Sequence, residues 1–261
     1  MNSIKGFNPR RFFLLIRNSL FLGRSLILIF SAAMVGMVIP LSILSVKYNG
    51  PQELYSIFYD LTLYIAGFIL TANIFEGLHH EATGAAWLSL PASTFEKFTS
   101  RLAITTIIYT IGIMMLFFLI SLISEWIIRN IWGPGHGLGL FNPFSKVILL
   151  NTLIYFILQS VFLLGGVYFK NHAFFRTIIS LVIYCLIFYM ITGITGKILY
   201  EDFNFLWQFV SVIPMHRFPF GHGVHHNIGI ILRWAVYEGF WYLLAPLCWV
   251  IGYFRLKEKE I

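Results

Sequence analysis

Several stretches of the chain are predominantly apolar for longer than a soluble fold can hide. "SLILIFSAAMVGMVIPLSILSV" at 25–46 and "TIISLVIYCLIFYMITGITGKIL" at 177–199 are two of them. A run of about 18 apolar residues is long enough to cross a bilayer core. We count six such runs, at about 25–46, 54–75, 102–128, 147–169, 177–199 and 230–254. They are continuous and do not alternate in polarity, so they read as helices and not as strands of a barrel. Composition agrees: 58% of the 261 residues are hydrophobic and 11% charged, against about half and a quarter in soluble domains. No polar stretch is long enough to build a separate soluble core. The expected fold is an all-α polytopic membrane protein, one transmembrane domain over residues 1–261 with six transmembrane helices.

Charge sets the expected orientation. With the N-terminus inside, twelve Lys and Arg fall on inner segments and six on outer ones. That bias places both termini in the cytoplasm of a cell with an inner membrane. The net charge of +7 is therefore read as a membrane-topology signal, and no nucleic-acid partner is expected. About two dozen residues precede the first run, so no cleaved signal peptide is expected. Within them, "NPRRFFLLIRNSLFLGR" sets Phe12, Phe13, Leu15, Ile16, Leu20 and Phe21 among arginines. It reads as an amphipathic interfacial helix, the alternative being a plain basic flank.

The connections differ in kind. "KYNGPQE" after the first run is a tight turn. The segment 200–229 is long and half apolar, and "FNFLWQFVSVIP" within it suggests a short re-entrant or interfacial helix ended by Pro214. Cys185 and Cys248 sit within apolar runs and read as small buried residues, not as a disulfide.

Residues 76–102, "EGLHHEATGAAWLSLPASTFEKFTSRL", are the most informative inner segment. Pro91 starts a new element, and Ser93 followed by Glu96 fits the S-x-x-E capping box. A short cytoplasmic helix running into the third span is expected.

On these residues the chain resembles a family. "LSLPASTFEKFTSRL" is similar to the inner-loop signature of membrane permease subunits of type-2, exporter-class ABC transporters, in a compact six-helix group. The resemblance implies that Pro91, Ala92, Ser93, Thr94, Phe95, Glu96, Lys97 and Phe98 form a coupling helix docking on a cytoplasmic ATPase. Phe95 and Phe98 would be its apolar anchors, with Glu96 and Lys97 making ion pairs at the rim. It also implies a second permease subunit, identical or related, and ATP and Mg²⁺ bound by the partner chain. This chain has no G-x-x-x-x-G-K-[ST] loop, so it is not expected to be the enzyme. The alternative is a helix cap with no partner.

Eight histidines raise another chemistry. "GHGVHH" at 221–226 gives an H-x-x-H-H pattern. The topology divides the histidines between the two sides, which argues against a di-iron centre. His216, His222, His225 and His226 remain an alternative site for a single Zn²⁺ or Cu²⁺, the other reading being a solvated loop. Intramembrane polar residues are few. Glu238, Asn151, Gln159 and Asp60 are candidates for a polar lining. Asp60 and Glu125 are expected near the headgroups or paired with Lys or Arg. A permease subunit is the leading expectation; a histidine-rich membrane metalloenzyme and a membrane scaffold are the alternatives.

Overall fold

A computed structural model describes residues 7–48, 53–79, 84, 91–133, 137–200 and 239–259, with backbone alone for 79, 192–193, 195–200, 239–241 and 259. Among these residues every regular element is a helix. In chain order they are α1 (Pro9–Leu22), α2 (Arg24–Lys47), α3 (Leu54–Asn73), a single turn at Glu76–His79, α4 (Thr94–Ala103), a π-helical turn (Ile104–Ile108), α5 (Tyr109–Trp132), α6 (Lys146–Tyr168), α7 (Ala173–Tyr200) and α8 (Gly239–Lys259).

Five helical stretches are long and apolar enough to cross a membrane: Arg24–Lys47, Leu54–Leu78, Thr94–Trp132, Lys146–Tyr168 and Ala173–Ile191. They match the first five expected runs. The sixth run begins at 230, and its first nine residues lie outside the described ones, as do the expected re-entrant segment, Glu238, and His136, His216, His222, His225 and His226. The described part of that run is α8, which carries Pro246.

The third span is one continuous rod. Thr94–Trp132 holds 39 residues, about 58 Å at about 1.5 Å per residue. A bilayer core is about 30 Å thick, so both ends of the rod stand outside it. Charge shows where: Glu96, Lys97 and Arg101 lie at one end, and Glu125 and Arg129 at the other, with none between. The first turns of the rod are therefore the short helix expected from the sequence.

α3 and α6 pack against each other along their length, and α8 lies along α6. Small residues let the backbones close in. A Cβ on Gly67 would come within 2.6 Å of Tyr155, and one on Gly166 within 2.6 Å of the Ala72 carbonyl. Phe68 stacks on Phe162 at 4.3 Å between centroids. α2 and α7 bury little, and Leu26, Ile29, Ile183 and Leu186 are exposed. A surface this apolar suits lipid, which is as apolar in kind as the core. Cys185 is exposed on α7, correcting its expected burial, while Cys248 is buried.

After α5 the chain turns at Gly133, whose φ of +86° suits glycine. The segment from 137 onward returns along the same helix. Glu125 accepts from the Leu138 N–H at 2.7 Å. Phe141 packs on Tyr59 and Phe117.

Candidate coupling site

The segment from Pro91 to Phe98 folds as its sequence directs. Ser93 has extended backbone at the cap of α4 and accepts from the Glu96 N–H at 3.2 Å. Glu96 accepts from the Ser93 N–H at 2.8 Å. Both halves of the capping box are present, and they satisfy two backbone donors that a helix start otherwise leaves open.

Glu96 also does something the sequence does not announce. Its other oxygen accepts from the Asn8 N–H at 2.6 Å, across 88 residues. The Arg11 guanidinium lies 3.5 Å from the same oxygen. Glu96 is fully buried by these contacts. Burial pushes its carboxyl upward, but the Asn8 and Ser93 N–H groups, Arg11 and the Ser93 hydroxyl outweigh it and hold the group below the ordinary carboxylate range. The residue thus ties α1 to α4. Asn8 is itself the cap of α1, accepting from the Arg10 N–H, with Pro9 in the first turn.

The placement revises three expected roles. Glu96 and Lys97 are buried, so neither stands at a rim open to another protein. Phe98 is buried too, stacked on Phe75 at 6.2 Å and edge-on to Tyr253 of α8 at 6.0 Å. Phe95 alone of the two expected anchors faces outward, 49% exposed. It is not isolated: Phe7 meets it at 6.2 Å and Tyr253 at 5.9 Å. Pro91 is exposed, and Ala92, Ser93 and Thr94 are half-buried. The N-terminal segment, α4 and α8 thus converge on Phe95.

A second set of polar residues lies between α3, α6 and the π turn. In that turn the Tyr109 N–H reaches back to Ile104, five residues away. The Thr105 carbonyl accepts the Tyr155 hydroxyl at 3.0 Å, and the Thr105 hydroxyl accepts from Gln159 Nε2 at 2.7 Å. The Tyr109 hydroxyl donates to the Thr62 carbonyl at 2.8 Å. Further along, Asn151 donates to Asp60 at 2.7 Å, the Tyr64 hydroxyl donates to the Asn151 carbonyl at 3.0 Å, and Tyr59 pairs with Thr152 at 3.0 Å.

Asp60 thus pairs with the Asn151 amide and, among the described residues, not with a Lys or Arg. Glu125 does have a basic neighbour, Arg129, at 3.7 Å. Asp60, Asn151 and Gln159 lie on this one seam. Gln159 Oε1 and Asp60 Oδ1 are buried with no hydrogen-bond partner among the described residues. Sequence reading missed Thr105, Tyr109 and Tyr155 as members of the seam. The spacing of Tyr155 and Gln159, four apart and so on one helix face, was the available signal.

Among the described residues no group of three His, Cys, Asp or Glu is placed to hold a metal ion. The comparisons with protein families, with curated proteins and with solved structures find no match to this chain.

Proposed function

We propose that the chain is the permease subunit of an ABC transporter of the exporter class, moving a substrate with ATP hydrolysed by a separate subunit. The observation that carries the reading is the Pro91–Phe98 segment. It has the signature the family resemblance rests on, it forms a capped helix at the end of a spanning rod, and it turns one aromatic outward. An exposed aromatic backed by two others is a suitable anchor for a small docking surface.

In this reading α8 extends upstream into a sixth span and both termini are cytoplasmic. The segment before α8 dips into the membrane, and two permease subunits pair around the substrate path. The Asp60–Gln159 seam supplies polar groups within the membrane, where such groups mark pathways or helix contacts.

The test is affinity purification of the tagged full chain from its native cells. A P-loop ATPase should co-purify with it and be lost in Phe95→Ala, whose fold is checked by gel filtration. Arg11→Gln, which changes a residue turned toward Glu96, should retain the ATPase. Recovery of an intact chain with no ATPase, at any detergent or salt concentration, would remove the reading.

A further inference from the structure

Helix α1 has two unlike sides. Ile16 is buried, and Phe12, Leu15 and Leu20 are half-buried. α1 packs on α4. The outer side exposes Arg10 and Arg17 among Phe13, Leu14, Phe21 and Leu22, and Arg24 follows two residues past its end. The Arg24 guanidinium lies 4.4 Å from the centre of the Phe21 ring. α1 contains no acidic residue, and none occurs in the chain before Glu53. Arginines set between large apolar side chains suit the headgroup layer: the apolar groups enter the acyl region and the guanidinium groups reach phosphate.

We propose that the outer side of α1 binds anionic phospholipid headgroups of the adjacent leaflet, and that Glu96 passes this binding to α4. Charge complementarity selects the occupant. Exposed arginines with no acid on their own helix attract a negatively charged leaflet and gain little from a zwitterionic one. The tie is the Glu96 carboxylate, which holds the Asn8 N–H and Arg11 on the α1 side and caps α4 on the other. A lipid that steadies α1 steadies the start of α4 through those bonds. Glu96 is here a positioning residue, and the proposal needs no ATPase; it stands or falls apart from the transport reading.

The experiment is hydrogen–deuterium exchange on the full chain in nanodiscs of phosphatidylcholine alone or mixed with phosphatidylglycerol. Phosphatidylglycerol should slow exchange in α1 and in the first turns of α4. At about 1 kcal/mol per arginine near an anionic surface, three arginines amount to roughly a hundredfold at low salt, shrinking as salt rises. Arg10→Gln, Arg17→Gln and Arg24→Gln combined should abolish the difference between the two lipids. Glu96→Gln, or Arg11→Gln if the first variant does not fold, should keep the response in α1 and lose it in α4. Equal exchange of α1 in both lipids, or an undiminished lipid response in the triple variant, overturns the binding surface. An α4 response that persists in Glu96→Gln and Arg11→Gln overturns the tie.

Discussion

At Glu96 two forces oppose each other. Burial disfavours the carboxylate, while two N–H donors, a hydroxyl and a guanidinium favour it, and the donors win. Removing one member of a buried ionic set costs more than the set contributes, because the remaining groups are left without partners. Glu96→Ala is therefore expected to destabilise the detergent-solubilised protein by about 3 kcal/mol, read as a lower unfolding midpoint in a thermal or denaturant titration. The sign of the pH effect follows from the lowered carboxyl. Its contribution is fully present above the ordinary carboxylate range and is lost as pH falls through the lowered value. The gap in unfolding midpoint between the native chain and Glu96→Gln should close on acidification and stay constant from neutral pH upward. At Gly67 the issue is space. A Cβ there would sit 2.6 Å from one tyrosine and 2.9 Å from another, Tyr155 and Tyr109. Both hydroxyls are fixed in hydrogen bonds. Gly67→Ala should cost about 1–3 kcal/mol by overpacking, whereas Gly112→Ala, which meets nothing within 4 Å among the described residues, should hold or slightly raise the midpoint through helix propensity.

Among the elements, the π turn at Ile104–Ile108 is the least regular, and such turns often sit at functional positions. It presents both the carbonyl and the hydroxyl of Thr105 to α6. Thr105→Val keeps the shape but removes the acceptor for Gln159, whose Oε1 already lacks a partner among the described residues. A loss of about 1–3 kcal/mol is expected, and Gln159→Leu in the same chain should recover part of it, which a double-mutant cycle would read. This turn also marks where the sequence stops being legible. The first five spanning stretches are readable because hydropathy over about twenty residues is a strong local signal. The start of α4 was readable because Ser93 and Glu96 are three apart and the capping box is a local bond. The Glu96–Asn8 contact joins residues 88 apart, and no local pattern encodes it. A π turn carries no composition of its own. The misplacement of Cys185 has another cause: hydropathy reports removal from water, and lipid removes a side chain from water as well as a protein core does.

The whole molecule is organised about the long rod that joins α4 to α5. From Thr94 to Asn130 it rises about 54 Å at about 1.5 Å per residue, and a bilayer with its headgroups is about 40–45 Å thick. A rod of this length that crosses the bilayer, even tilted by about 20°, keeps both residues in water, on opposite sides. Which side is which rests on the basic residues. Arg10, Arg11, Arg17 and Arg24 accompany the Thr94 end through α1, and Arg255 and Lys257 lie on α8, whose Tyr253 touches Phe95. In the proposed orientation that cluster lies in the cytoplasm. The two native cysteines, on α7 and α8, are first replaced by serine. Thr94→Cys in that background should then resist an impermeant maleimide in intact cells and react in inverted vesicles. Asn130→Cys, on an exposed turn of α5, should do the reverse. The opposite pattern at both sites would turn the molecule over, leaving its helices as they are but placing the Phe95 face where no cytoplasmic ATPase can reach it. Labelling of both from one side would mean that Thr94–Trp132 does not cross the membrane at all.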